Sequence, residues 1–263
     1  MNPTRVDQRR QQIKTIRWYH EFDLPNGLQI RSREPDTPAH QRLWRAIFSE
    51  LEAIDFEGKT VLDIGCWDGM FSFFAERRGA KEVVAADDYS QNWSTPEGIR
   101  LVRDVLNSSI KIVDDMSIYQ VAKLQQKFDI ILCFGVYYHL ADPFFAFANL
   151  RHCAHPGSWL FLEGDVLLNG GKAEADYHFG RSGYPCFLPS EQVLRQMLEA
   201  AYLRVEDRVW LDRPRNPILT LMKAAGRKAQ ARALLKCRPF HGVNDCHDFK
   251  PPFGLDQYDD RSF

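Results

Sequence analysis

Acids at the ends of three successive apolar runs, with a glycine turn after the first, carry the densest chemical signal in the chain. In Val61–Phe73 (VLDIGCWDGMFSF) a β-branched run ends in Asp63, and Gly65 and Gly69 bracket a turn leading into a helical segment. Glycines allow a tight turn and a close backbone approach to a ligand. Asp63 is placed to hold a cationic amine or to fix the loop. The next run ends in Asp87, followed by Asp88, and the third closes on Asp114-Asp115. An acid some 20 residues past a glycine turn accepts hydrogen bonds from ribose hydroxyls in doubly wound nucleoside sites. The third pair then suits the exocyclic amine of adenine. A single strand-end acid reads equally well as a helix cap; the ordered series of three favours the nucleoside. A dinucleotide site would want G-x-G-x-x-G, with a helix N-terminus cradling pyrophosphate. Here Trp67 takes the place of the middle glycine, and Asp68 is expected to put negative charge where the phosphates would sit. A nucleoside ligand with a positive charge and no phosphate suits this loop better.

Other residues invite chemistry without fixing it. His139 and His178 are candidate general bases for a hydroxyl acceptor, histidine being the commonest such group near neutral pH; each reads also as a hydrogen-bonded structural histidine. Cys237, His241, Cys246 and His247 are metal-ligand types, but their spacing matches no zinc pattern, and no metal is expected. Glu163, at a strand end, either faces an acceptor or is held by loop amides. The stretch Arg213–Arg238 contains Lys and Arg and no acid. It suits phosphate contact or a solvated face neutralised by the acidic tail (Asp245, Asp248, Asp256, Asp259, Asp260).

The elements that must position these residues follow from the pattern. Thr60–Gly65, Glu82–Asp87, Ile110–Asp114, Phe128–Phe134 and Trp159–Glu163 read as buried parallel strands. Between them lie helical segments from Gly69, from near Ser94 (with Pro96 in the first turn and Glu97 placed for a capping box) and from Pro143. Strand and helix in alternation imply an open parallel sheet covered on both faces. Arg204–Leu211 and Ile218–Lys223 supply two further strands, giving an α/β, Rossmann-like, doubly wound and mostly parallel seven-stranded sheet. Val166–Leu188 reads as an insertion or lid, and a helix begins near Pro189-Ser190 with Val193, Leu194, Met197 and Leu198 as its core stripe. Residues 1–59 form an N-terminal extension whose Trp18, Tyr19, Phe22 and Trp44 either cap the site or pack on the sheet. The main domain is expected over 60–224. Residues 225–238 read as a basic helix, followed by an irregular tail to 263.

Composition narrows the class. A chain of 263 residues with 44% apolar and 26% charged residues is ordinary for a globular protein with one core. A formal net charge of -1 gives no global electrostatic case for nucleic acid. No run approaches the roughly 20 apolar residues of a membrane helix, and the charged N-terminus lacks the apolar core of a signal peptide. The six cysteines follow no disulfide framework. A cytoplasmic setting without membrane contact is expected.

VLDIGCWDG, VVAAD and FDIILCFGVYYHLADP resemble the class I S-adenosylmethionine-dependent methyltransferases, closest to the group related to the tRNA wobble-uridine methyl- and carboxymethyl-transferases. Trp18-Tyr19-His20 with Leu24-Pro25-x-Gly27, and Cys186–Ser190, are similar to that group as well; the resemblance covers about residues 16–211. It implies the class I methyltransferase fold and S-adenosylmethionine as cofactor. Asp63, Gly65 and Gly69, with Cys66 and Trp67 between the glycines, would form the methionine-binding loop. Asp87, with Asp88 beside it, would hold the ribose, and Asp115 and Met116 would flank the adenine. Phe134 and Tyr138 would line the methionine end and the transfer site, with His139 alongside. The group also has, after its last helix, an arginine that meets the carboxylate of a carboxylated cofactor; Arg208, Arg213 and Arg215 are its candidates here, and none is assigned. The chain is shorter than the tRNA enzymes. The expected acceptor is a hydroxyl of a small or carbohydrate-like molecule, with a hydroxylated tRNA wobble uridine as the alternative and a catalytically silent cofactor-binding protein as a third reading. Oligomeric state is not legible.

Overall fold

The computed structural model describes residues 3–32, 34, 37–91, 93, 95–180, 185–213 and 229–240. The chain divides after Ser117 into two compact units. Seven strands form one sheet, and among them β3, β4 and β5, and separately β6 and β7, run parallel. This is the α/β doubly wound architecture expected from the alternation of strands and helices.

The first unit holds helix α1 (Pro3–Thr15), a hairpin of β1 (Phe22–Leu24) and β2 (Leu28–Ile30), and helix α2 (Thr37–Leu51). There follow β3 (Thr60–Ile64), α3 (Met70–Arg77), β4 (Glu82–Ala86), α4 (Glu97–Leu106) and β5 (Lys111–Val113). In β3 every residue from Val61 to Ile64 is buried, as a strand covered on both faces requires. Helix α3 buries Phe71, Phe73 and Phe74. Phe48 of α2 packs on Phe71 and Phe74, so the extension closes over the same core as the sheet. Helix α4 starts at Glu97 with Pro96 at its N-cap and no side-chain capping bond. It thus begins later than the capping-box reading placed it; Ser94 lies outside the described residues.

The second unit holds β6 (Phe128–Phe134), α5 (Pro143–His152), β7 (Ala154–Leu168), β8 (Ala175–Tyr177), β9 (Phe187–Pro189), α6 (Glu191–Ala200), β10 (Leu203–Trp210) and β11 (Ala229–Pro239). Strand β6 and helices α5 and α6 fall where the pattern put them, with the Asp142 and Ser190 side chains accepting N-cap hydrogen bonds. Two readings are corrected. Val166–Leu188, read as an insertion or lid without periodicity, contains strands: β7 continues to Leu168, and β8 pairs antiparallel with β9 as a ribbon. Residues 229–238, read as helix, form a strand pairing antiparallel with β7 on one side and β10 on the other. Ala, Leu, Lys and Arg are good helix formers. Burial nevertheless alternates along Ala229–Ala233, the period of a strand, and two waiting strand edges override propensity. This part of the expected C-terminal helix therefore belongs to the sheet. Ile218–Lys223 and the tail beyond 240 lie outside the described residues.

Candidate functional site

After β3 the chain turns through three left-handed residues, Gly65 (φ 77°), Trp67 (φ 50°) and Gly69 (φ 80°). Gly69 is required twice over, since a Cβ there would also lie 2.7 Å from Cδ1 of Ile99. For a tryptophan this backbone is unfavourable, and it is held from both sides. The Trp67 N–H donates to Asp87 Oδ2 (2.7 Å), and the Tyr89 hydroxyl donates to the Trp67 carbonyl. Gly65 and Cys66 both donate to the Ala86 carbonyl (2.8 and 3.3 Å). The loop is thereby tied to the end of β4. Strain kept in place this way marks a functional loop.

The acids fall into distinct jobs. Asp63 is 2% exposed and its Oδ2 accepts from the Ser72 hydroxyl at 2.6 Å, so it fixes the loop to α3. Asp87 is occupied by the loop amide of Trp67, with the Asp88 amide also acting on it. Asp88 is partly exposed, with Oδ1 taken by Ser90 (2.5 and 3.1 Å). Asp88 bridges to Asp115, and the Met116 N–H donates to the Asp87 carbonyl (3.0 Å). The structure therefore brings Trp67, Asp87, Asp88, Asp115 and Met116 together. Cys66 is buried, and burial pushes its thiol up.

Asp68 departs from its expected place. It is fully buried, and its Oδ2 accepts from the backbone N–H groups of Tyr19 (2.8 Å) and His20 (3.0 Å). Instead of facing a ligand's phosphates it clamps the N-terminal extension onto the loop, and Tyr19 packs on Trp44 and Trp67. The extension is thus bound to the loop itself, which joins the two readings of its aromatics. Burial raises the carboxyls of Asp63 and Asp68 to about 7 and Asp87 to about 6, and the charge of Asp87 adds to the rise of the other two. His20 lies 4.0 Å from Asp68, but burial, then His40, pushes it down to about 3, so it supplies no positive charge. A cationic nucleoside would relieve this cluster, and its chemistry fits such a group.

In the second unit β6 ends at Phe134, which is partly exposed, and Gly135 (φ 73°) leads into a single helical turn, Tyr137–His139. Tyr137 is buried and its hydroxyl donates to the Asp165 carbonyl at 2.6 Å. A Cβ at Gly164 would meet Tyr137 at 2.4 Å and Tyr138 at 2.9 Å, so the glycine makes room for the turn. Arg232 of β11 lies over the Tyr138 ring at 4.8 Å. It forms a two-bond fork with Glu163 (2.7 Å each) and reaches Asp165 at 3.3 Å. Tyr138 packs on His139 at 4.3 Å. His139 is exposed at the surface, yet desolvation on its protein-facing side, then Arg232, lowers its pKa and favours the neutral, proton-accepting form. Strand β9 packs against this turn, and His178 follows β8 on the ribbon, half-buried, its N–H on the Cys186 carbonyl (2.9 Å).

With both regions described, the comparisons can be set beside them. The methyltransferase-domain family matches residues 38–216. The chain belongs to the class I methyltransferases. The chain is 30% identical over 153 residues to a tRNA U34 carboxymethyltransferase of Campylobacter hominis (56% of this chain, 51% of that one). It is 33% identical over 145 residues to a ribosomal protein L11 methyltransferase of Phocaeicola vulgatus (52% and 47%). It therefore spans about half the length of the curated relatives it matches. Among solved structures, the N-terminal domain of EvdMO1 with SAH bound superposes with a TM-score of 0.62 at 12% identity, covering 92% of this chain and 98% of that one. The [4+2]-cyclase SpnF does so with 0.58 at 16% (90% and 93%). At such identities the likeness is one of fold, and the fold hosts more than one reaction.

Arg232 and Asp165 were not legible in the sequence. Glu163 is held by Arg232 through its side chain, while its carbonyl accepts from Gly135 (3.1 Å). Arg208 is committed to Glu191 and lies over Trp210, and Arg213 also lies over Trp210. Arg215 is outside the described residues, as are His241, Cys246 and His247. Cys237 is buried in β11, and among the described residues no three metal-ligating side chains gather. No described helix is long and apolar enough to cross a membrane.

Proposed function

We propose that the protein transfers the methyl group of S-adenosylmethionine to a hydroxyl of a small or carbohydrate-like acceptor. The observation that carries this reading is the Tyr137–His139 turn, locked by Arg232, Glu163 and Asp165, with His139 biased to its neutral form. Bound at the glycine loop, the cofactor supplies a methyl carbon activated by its sulfonium. Asp88, whose carboxylate is the more accessible of the pair, takes the ribose in place of Asp87. Asp115 and Met116 flank the adenine, and Phe134 lines the methionine end. Tyr138 positions the acceptor, and His139 accepts the hydroxyl proton as oxygen bonds to carbon and the sulfur–carbon bond breaks. Positioning supplies much of the rate in such an in-line displacement. Within Arg213–Arg238, the stretch that suits phosphate contact, the cations at 232, 236 and 238 have partners inside the chain. Arg232 is buried on Glu163, Lys236 pairs with Asp207, and Arg238 donates to Gly157 and lies over Trp159.

One observation favours a second reading, transfer to a tRNA wobble uridine. Arg232 follows the last helix and stacks on Tyr138, the place in which the resemblance expects an arginine for a carboxylated cofactor. The relatives named as tRNA U34 carboxymethyltransferases support the same reading. Here, however, two carboxylates already occupy the guanidinium. Calorimetry with S-adenosylhomocysteine and with NAD tests the cofactor: affinity for NAD alone overturns it. Labelled S-adenosylmethionine, offered with total tRNA or with a metabolite extract, tests the acceptor. Incorporation into tRNA, lost in Tyr138→Ala, overturns the small-molecule reading; no transfer to any acceptor leaves the silent binding protein.

A further inference from the structure

Helix α1 and the β1–β2 hairpin line a cavity of about 550 Å³, open to solvent, in the first unit. Four of its lining side chains are cationic, Arg10, Lys14, Arg17 and Arg31, and Thr15 and Gln29 add polar groups. No role in the glycine loop or the tyrosine turn uses these residues. The three arginines have carboxylate partners, but each pair includes an exposed side chain: Arg10 with Asp7 at 3.2 Å, Arg17 with Glu34 at 2.8 Å and Arg31 with Asp23 at 2.5 Å. Exposed pairs of this kind are weak, so an incoming anion can share or displace the carboxylates. Lys14 has no carboxylate within ion-pair distance among the described residues.

The cavity is coupled to the cofactor loop. Its wall includes Trp18, which is 4% exposed and donates through Nε1 to the Ile13 carbonyl at 2.9 Å. The next two residues, Tyr19 and His20, are those clamped by Asp68 of the loop. On another side the Arg17 guanidinium lies 3.8 Å from the Trp93 ring centre, and Trp93 packs edge-on against Trp67 of the loop at 4.8 Å. A charge held in the cavity is therefore one residue from the clamp and two contacting rings from the loop backbone.

We propose that this cavity is a phosphate-binding site. A concave, four-cation lining with flexible Arg and Lys heads suits a phosphate ester, for which Arg offers forked and Lys point-charge contacts. That the phosphate belongs to the methyl acceptor rests on the methyl-transfer reading; that the cavity binds phosphate does not. The ester comes either from a phosphorylated small molecule or from an RNA backbone. The probes are inorganic pyrophosphate and an anticodon stem-loop RNA, titrated into the full chain at low salt, with S-adenosylhomocysteine titrated separately. Pyrophosphate is expected to bind, and Lys14→Glu/Arg31→Glu to weaken it at least tenfold, while Lys81→Glu, on an exposed site elsewhere in the unit, leaves it unchanged. Unaltered S-adenosylhomocysteine affinity shows that the double variant is folded, and its absence in the parent protein counts against the cofactor reading alone. RNA binding that pyrophosphate displaces supports the site with RNA as its source; pyrophosphate binding without RNA binding supports it with a small phosphate ester. Failure of pyrophosphate to bind, or binding insensitive to the double variant, overturns the proposal.

Discussion

Two clusters of buried carboxylates stand out among the described residues, and they are built on opposite terms. At the tyrosine turn Glu163 and Asp165 enclose their own counter-charge, Arg232, in a forked pair. At the glycine loop Asp63, Asp68 and Asp87 are buried with hydrogen bonds from a hydroxyl and backbone amides, and the nearby His20 is held neutral. A cluster that carries its own cation is complete as it stands and orients what packs on it. A cluster that does not is incomplete until something positive arrives. Under the proposed function, this difference in charge balance would separate a positioning device from a binding device.

The largest effect should come from unbalancing the complete cluster. Removing one partner of a buried pair costs about 3–5 kcal/mol, because charge is left behind without compensation. Arg232→Met should therefore lose about that much in chemical denaturation, and Arg232→Lys less. A neutral outcome for Arg232→Met would mean that Glu163 and Asp165 are not charged partners at all. The incomplete cluster should respond in binding instead. Asp88→Ala removes charge-assisted hydrogen bonds worth roughly 1.5–3 kcal/mol each, so S-adenosylhomocysteine affinity should fall at least tenfold with little change in Tm. Asp87→Ala, which frees the Trp67 amide, should lower Tm as well. The reverse pattern would return the ribose to Asp87.

The pH dependence is a smaller effect with a definite sign. The folded carboxyls at about 6 to 7 lie above the unfolded value of 3.8, so the folded state binds more protons in that window. Their contribution is fully present below about pH 4 and is lost as pH rises through the range 6 to 7. Tm of the ligand-free protein should fall between pH 5 and 8, and Asp68→Asn should flatten the slope; a rising Tm would contradict the charge imbalance. S-adenosylmethionine, being cationic, should gain on S-adenosylhomocysteine over the same range. Smallest of all is the exposed control: Glu34→Gln, which breaks the surface pair with Arg17, should change stability by less than about 1 kcal/mol.

How legible each cluster was in the sequence follows from distance along the chain. The loop's glycines and the succession of β3, β4 and β5 are local or repeat at helix-length intervals, so pattern alone found them; the tie of Asp87 to the Trp67 amide was not foreseen. Phe128–Phe134 is a strand to the residue. Asp68 was seen but misassigned, because its partners are the amides of Tyr19 and His20, 49 and 48 residues away, and an amide leaves no mark in a sequence. Arg232 was hidden more deeply. It lies 69 residues from Glu163, in a segment whose side chains favour helix. Only the alternation Ala229, Ala231, Ala233, with polar residues between, carried the signal of a strand.

The place of β11 also sets an order of events in the making of the protein. It enters between β7 and β10, both of which precede it in the chain. Until Cys237 has left the ribosome, nine residues of β7, Leu160–Leu168, cannot complete the ladder they form with β11. A nascent chain at that stage displays an adhesive border to its neighbours, and a cell translating this message in crowded polysomes depends on the last described strand arriving before another copy does.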